Sequence, residues 1–312
     1  LALPQYATEQ LLENIKRRCL VPTSQLTYTP QGLTDLANDT LQGEIVPLIM
    51  STREDYFVTH VDVLSPADGV IDFPAEAVGS KLRNVCYYPS GNPLNIINLP
   101  RIDLDLVAGV GFMNYATLAG FYIEGNKFCL YPNTSVPTNT TIRIYYYKRV
   151  LTLAAPGHYA YVRSVDTNTN EIIVDSVPSD WEVGSELNTV SGEPNFDITN
   201  SRVTIQALSS PTITLDSVED IEVGNYISFY GYSAIPMIPL EAHQYLAQVT
   251  AGKVLEGLGD REGMTAALQK AQSLKDSLLV MISNRIDGSP KKVINPQGGL
   301  RMPYWRRGWW GF

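Results

Sequence analysis

Hydrophobic spacing divides the chain into regimes. From residue 8 to about 51 apolar side chains return every three or four positions, the period of a helix with one buried face. Leu11, Leu12 and Ile15 follow Thr8, Lys16, Arg17 and Arg18 lie where the carbonyl end of a helix favours cations, and Pro22 is a stop. Thr29-Pro30 then has the form of an N-cap followed by proline at the first helical position. Leu33, Leu36, Ala37, Leu41, Ile45 and Leu48 trace the stripe of a second helix over about 30 to 51. Pro47 leaves the carbonyl of Gly43 without its amide donor, so a bend or a stop is expected there.

From Tyr56 the period shifts towards two. YFVTHVDVL, VIDFP, LRNVCYY, FYIEG, KFCLYP and TIRIYYYKRV are β-branched and aromatic runs divided by Pro, Gly and Asn, the pattern of an antiparallel sheet. Gly125-Asn126 reads as its hairpin turn, because both residues tolerate positive φ. Residues 100 to 118 are less regular and are expected to form a loop with a short helix. A repeat follows: Asp175-Ser176-Val177 with Trp181-Glu182-Val183-Gly184 recurs as Asp216-Ser217-Val218 with Ile221-Glu222-Val223-Gly224, each copy after a strand-like run. Two such units suit a small barrel or sandwich and are too few for a solenoid.

Helical spacing resumes at Leu240, Tyr245, Leu246, Val249, Val254 and Leu255, is interrupted by Gly257 and Gly259, and restarts after a capping Asp260 with Met264, Leu268, Ala271, Leu274, Leu278, Ile282 and Ile286. The expected fold class is therefore α+β. It comprises N-terminal helices (1–55), an antiparallel β-sheet domain (56–154), an inserted β-module with a two-fold internal repeat (155–232), a helical hairpin (233–287) packed with the N-terminal helices, and an extended C-terminal arm (288–312).

The arm changes the functional picture. After Asp287 it carries Lys291, Lys292, Arg301, Arg306 and Arg307 and no carboxylate side chain, while Tyr304, Trp305, Trp309, Trp310 and Phe312 crowd its end. Three prolines and five glycines deny it a helix or a central strand, so alone it is expected to be disordered. Trp, Tyr and Arg are frequent interface anchors, which points to an arm that orders on a neighbouring protein; folding back over its own domain is the rival reading. With those five cations set aside, 18 Lys and Arg face 32 Asp and Glu, so the body from Leu1 to Asp287 carries about −14 against +5 on the arm. Such a body repels phosphate, which argues against tight nucleic-acid binding and is compatible with a surface that DNA passes without sticking; the arm suits an acidic pocket.

Catalytic patterns are scarce. His60, His158 and His243 lie far apart, with no HExxH, CxxC or GxSxG, and Gly109-Val110-Gly111 lacks the third glycine and the strand-then-helix setting of a dinucleotide loop. Cys19, Cys86 and Cys129 give neither a disulfide framework nor a metal spacing and are expected to be reduced and buried. Asp216, Glu219, Asp220 and Glu222 lack the ligand order of a calcium loop, and Tyr145, Tyr146 and Tyr147 fit sheet packing better than base stacking. Neither a metal nor a cofactor is expected. The sequons at Asn38, Asn133 and Asn139 matter only in a secreted protein. No run reaches membrane-spanning length and the opening LALPQYATEQ lacks a signal-peptide layout, so a soluble, non-secreted protein is expected.

REDYFVTHVDV at 53 to 63, KLRNVCYY at 81 to 88, GFYIEGNKFCLYP at 120 to 132, IRIYYYKR at 142 to 149 and IPLEAHQYLAQVTAGKVLEGLGDREGM at 238 to 264 resemble, in combination and order, the head-to-tail adaptor (connector or neck) proteins of tailed bacteriophages. The resemblance implies a structural virion protein at the neck. It would form a ring, usually of twelve copies, between the portal and the tail or nozzle proteins, and line a channel that DNA passes. It also implies that the arm docks on the portal through Arg301, Tyr304, Trp305, Arg306, Arg307, Trp309, Trp310 and Phe312. The β-module at 155–232 matches no motif of that family. Two rivals follow from it: a tail-fibre or receptor-binding component that uses the module, and a hydrolase hidden within it.

Overall fold

The computed structural model describes residues 6–20, 28–88, 96–103, 120–131, 140–192 and 196–283, and the chain is a mixed α+β protein of helices and antiparallel sheets. Helix α1 (Thr8–Cys19) buries Leu11, Leu12, Ile15 and Cys19 on one face. Its first turn is held from afar, because both the backbone N–H and the hydroxyl of Thr8 donate to the carbonyl of Ala234, at 2.8 and 2.9 Å. Leu20 ends the helix in the left-handed region, φ 52°. Helix α2 (Pro30–Thr40) starts as its sequence dictates, with the Thr29 hydroxyl accepting from the Gly32 N–H at 3.1 Å.

The expected bend at Gly43 and Pro47 takes a specific form. The helix continues through one π-type turn (Leu41–Ile45) into α3 (Val46–Thr52). A wider turn lets the backbone pass the proline that supplies no N–H, while Leu41, Ile45 and Ile49 stay fully buried. Helix α4 (Leu240–Leu258) is apolar almost all round and buries eleven residues, as a central helix must. It ends at Gly259, φ 77°, and α5 (Arg261–Ile282) begins with the Asp260 carboxylate accepting from the Gly263 N–H at 2.9 Å. Side chains of all five helices share one core, tied at its edge by Lys253 and Glu44 at 2.6 Å.

Between α3 and α4 the strands build three further bodies. A single sheet is the expectation over 56–154, whereas the strands from Val58 to Lys148 divide between two. Strands β1 (Val58–Leu64), β3 (Ala77–Tyr88), β4 (Ile97–Leu99) and β7 (Thr141–Lys148) form one sheet in the order β1-β7-β3-β4. Strands β2 (Val70–Asp72), β5 (Gly120–Glu124) and β6 (Lys127–Tyr131) form another, β2-β6-β5, its hairpin turned at Gly125, φ 58°. The division has a packing cause: Ile71, Phe121, Phe128 and Leu130 of the small sheet bury their side chains against Val85, Tyr87, Leu99, Ile142 and Ile144 of the large one. One continuous sheet would leave that face in water.

The third body is a closed antiparallel barrel. Its strands are β9 (Tyr159–Asp166), β10 (Glu171–Val174), β11 (Glu186–Val190), β12 (Ile198–Ser209), β13 (Thr212–Leu215) and β14 (Tyr226–Phe229), in the order β10-β13-β12-β11-β14-β9. Exchanging β9, β10 and β11 for β12, β13 and β14 reproduces this order, so the sequence repeat is a pseudo-two-fold of the barrel. The hydrogen bonds obey it. Asp175 accepts from the N–H groups of Tyr161 and Ser176, and Asp216 from those of Thr204 and Ser217, all at 2.8 to 2.9 Å. Gly184 donates to Ile205 at 2.8 Å as Gly224 donates to Val162 at 3.0 Å, both glycines at positive φ, 91° and 102°.

The chain reaches the barrel through β8 (Thr152–Leu153) and leaves through β15 (Tyr232–Ser233), which pair in parallel, Thr152 beside Tyr232 and Leu153 beside Ser233. Asn38 of α2 grips this neck. Its carboxamide oxygen accepts from the Leu153 N–H at 2.7 Å and its amide donates to the Leu153 carbonyl at 3.2 Å.

Candidate functional site

A cleft of about 770 Å³ opens where helices, sheet and barrel meet. Its base is apolar and buried: Phe57 from the turn before β1, Val150 after β7, Phe196 before β12 and Met237 before α4. Around it stand three cations, Arg53, Lys148 and Arg149, and two carboxylates, Asp197 and Glu241. None of the five forms an ion pair among the described residues. Tyr56 lines the same space. Burial, reinforced by the Asp197 and Glu241 carboxylates and opposed by Arg53, pushes its phenol up to about 12, so at neutral pH it serves as a hydrogen-bonding group and not as a base.

The histidines occupy three separate elements. His60 on β1 lies beside Tyr145, with ring centroids 5.6 Å apart. His158 contacts Asp180 at 2.7 Å on the barrel. His243 on α4 stacks on Phe196 at 5.7 Å, and burial lowers its pKa to about 4. All three cysteines are free and buried; burial pushes the Cys19 thiol up to about 11, and its Sγ donates to the Ala251 carbonyl at 3.4 Å. Among the described residues no group of three or more His, Cys, Asp or Glu side chains is placed to hold a metal ion.

Other sequence candidates resolve into structural roles. Tyr146 and Tyr147 are buried in the large sheet, and the Tyr147 hydroxyl donates to Glu54 at 2.9 Å. Asp216 spends its carboxylate on two backbone amides, as above. The amide of Asn38 is committed to Leu153, which gives its sequon a packing explanation. Asn133, Asn139, Gly109, Val110 and Gly111 lie outside the described residues. So do the arm residues Arg301, Tyr304, Trp305, Arg306, Arg307, Trp309, Trp310 and Phe312.

Charge is distributed unevenly. The stretch 155–232 holds twelve Asp and Glu against two Arg and no Lys, a net −10 that accounts for most of the body's excess. Both arginines lie over tyrosine rings, Arg163 over Tyr161 at 4.6 Å and Arg202 over Tyr230 at 4.7 Å. No such imbalance is visible in motifs, but counting charges module by module finds it.

No protein-family model matches the chain, and no curated protein matches it. Among the described residues no helix is long and apolar enough to cross a membrane.

Proposed function

We propose that the chain is a non-enzymatic virion protein that closes into a ring joining the portal of a phage head to the tail, lines the DNA channel, and docks on the portal through residues 288–312. The barrel is read as a module inserted between the sheet domain and the C-terminal helical hairpin, which packs with the N-terminal helices. The observation that carries this reading is the placement of the stretches that resemble the adaptor family. Residues 53–63, 142–149 and 81–88 fall on the adjacent strands β1, β7 and β3, 120–132 covers the β5–β6 hairpin that packs on them, and 238–264 covers α4 and the start of α5. Four separated sequence runs thus fall on one two-layered β-core, and the fifth on the central helix. An acidic body beside a cationic, aromatic segment supports a channel wall of low DNA adhesion with a separate anchor.

Electron microscopy of assembled particles tests the proposal: a closed ring of this chain at the neck is expected. Density at fibre tips would favour the receptor-binding reading, for which the acidic barrel is the one specific support. No density in the particle would refute both.

A further inference from the structure

The pseudo-two-fold of the barrel supplies its own control, since a residue that the architecture requires should recur in both halves. The strand register carries Phe229 onto Thr189 and His158 onto Asn200, and the two Glu-Val-Gly turns carry Trp181 onto Ile221. An imidazole and two aromatic rings therefore stand in one half where the other closes without a ring. Asn200 ties its own turn through the Glu219 carbonyl at 2.9 Å, so closure does not require an imidazole. The indole N–H of Trp181 is buried without an acceptor among the described residues, a cost that Ile221 avoids. These rings gather at one place. His158 and Phe229 line a cavity of about 240 Å³ between the barrel, its neck strands and the first turn of α2, and Trp181 backs Phe229 edge-on, with centroids 6.3 Å apart.

The polar groups of this cavity are set to meet hydroxyls. Asp180 holds His158 through Nδ1 at 2.7 Å, which in the neutral imidazole leaves Nε2 to accept. Gln31 spends one amide N–H on Asp35 at 2.9 Å, and its amide oxygen remains an acceptor. Tyr232 adds a phenol; its backbone carbonyl is fixed by Asn188 and Ser228 at 2.8 and 2.7 Å, and it stays 45% exposed. Among the described residues no cation lines the space, which disfavours an anion. The carboxylate already faces His158 and the positive end of α2 lies beside it, which disfavours a cation. A neutral ligand with several hydroxyls and a C–H face suits all of these groups. We propose that the cavity is a saccharide-binding site, in which Phe229 and Tyr232 pack on one face of a sugar ring and His158, Asp180 and Gln31 bond its hydroxyls. Its volume, below the roughly 300–1,000 Å³ of drug-sized sites, limits the occupant to one ring. Glycoside hydrolysis needs two carboxylates flanking the bond, and Asp180 is the one carboxylate among the described residues lining the cavity, so the site binds sugar without cleaving it. The site does not depend on the adaptor reading.

Saturation-transfer NMR on the full chain tests the site, with the methyl glycosides of glucose, galactose, mannose, rhamnose and N-acetylglucosamine as probes. At least one should bind with a Kd on the order of millimolar, the scale for a small ligand in an open site. His158→Ala and Tyr232→Ala should each weaken that sugar about tenfold, the scale of one hydrogen bond or one ring face lost. Gln31→Ala, an exposed change in the first turn of α2, should weaken it about threefold with the thermal midpoint unchanged, which keeps the test sound if a barrel variant fails to fold. Asp220→Asn, at the position equivalent to Asp180, should change nothing, since asparagine tolerates the φ of 60° there. Silence across the panel, binding indifferent to all three site variants, or equal binding of glycerol, an adventitious additive only, would overturn the site. So would a preference for choline, which would make it a cation site. Neck rings seen by microscopy read the adaptor function separately: rings without sugar binding remove this site alone, and sugar binding without rings removes the adaptor reading alone.

Discussion

Asn38 holds both backbone groups of Leu153, 115 positions away, accepting from its N–H at 2.7 Å and donating to its carbonyl at 3.2 Å. One side chain of α2 thereby completes the edge of the two-residue strand that leads into the barrel, where neither a long ladder nor solvent can satisfy Leu153, itself buried. Asn38→Ala should cost about 2 kcal/mol in urea unfolding, mostly through the stranded backbone groups. Asn38→Asp should recover little, because a carboxylate faces the Leu153 carbonyl without a donor.

The pseudo-two-fold predicts twin effects. Asp175→Ala and Asp216→Ala each remove an acceptor from two backbone amides, and each should destabilise by about 1–2 kcal/mol, with the Asn variants milder because one oxygen remains. The two losses should agree within about 0.5 kcal/mol and add in the double variant. Strongly unequal midpoints in chemical unfolding would argue that the halves of the barrel are not energetically alike.

His243 gives an acid limb to stability. Burial lowers its pKa from 6.5 to about 4, against hydrogen bonds to the carbonyls of Ile238 and Pro236 and the nearby Glu241, which raise it. Between those values the unfolded chain binds the proton and the folded chain resists it. Stability from this group is therefore full above pH 6.5 and is lost as pH falls towards 4. Thermal unfolding across that window should show wild type losing on the order of 2 kcal/mol more than His243→Gln.

DNA binding should be weak and confined to the arm. Filter or mobility assays with duplex DNA at physiological salt should show none, and residual binding at low salt should vanish when Arg301, Arg306 and Arg307 become Ala. Salt-resistant binding by a chain ending at Asp287 would contradict a low-adhesion channel.

Deleting residues 296–312 should leave the thermal midpoint nearly unchanged and abolish attachment to DNA-filled heads. Trp305→Ala, Trp309→Ala or Trp310→Ala should each weaken assembly by about 2 kcal/mol. Arginine-to-lysine changes should not rescue a bidentate contact. A large fall in the midpoint with attachment retained would mean that these aromatics pack on their own body.

Local signals were the legible ones. Thr29 and Asp260 cap helices as their sequence context predicts, Gly125 turns its hairpin, and the repeated Asp-Ser-Val and Glu-Val-Gly runs reappear as matched hydrogen bonds. Each depends on residues within a few positions, or on comparing one copy with another. The mixed cleft was not legible, because Arg53, Lys148, Asp197 and Glu241 reach it from four distant stretches, and no spacing rule links them. The split into two sheets was hidden for a related reason: alternation reveals that a strand has a buried face, but not which layer covers it. As for the arm, its composition is plain while its eight candidate residues lie outside the described structure.

The parallel pairing of Thr152–Leu153 with Tyr232–Ser233 sets the two ends of the barrel's chain side by side. A segment spliced in at such a point can be gained, lost or exchanged between lineages while the helices and sheets that receive it keep their own contacts. If the barrel is an insert, as proposed, related chains should differ most by the presence or identity of what lies between these two strands.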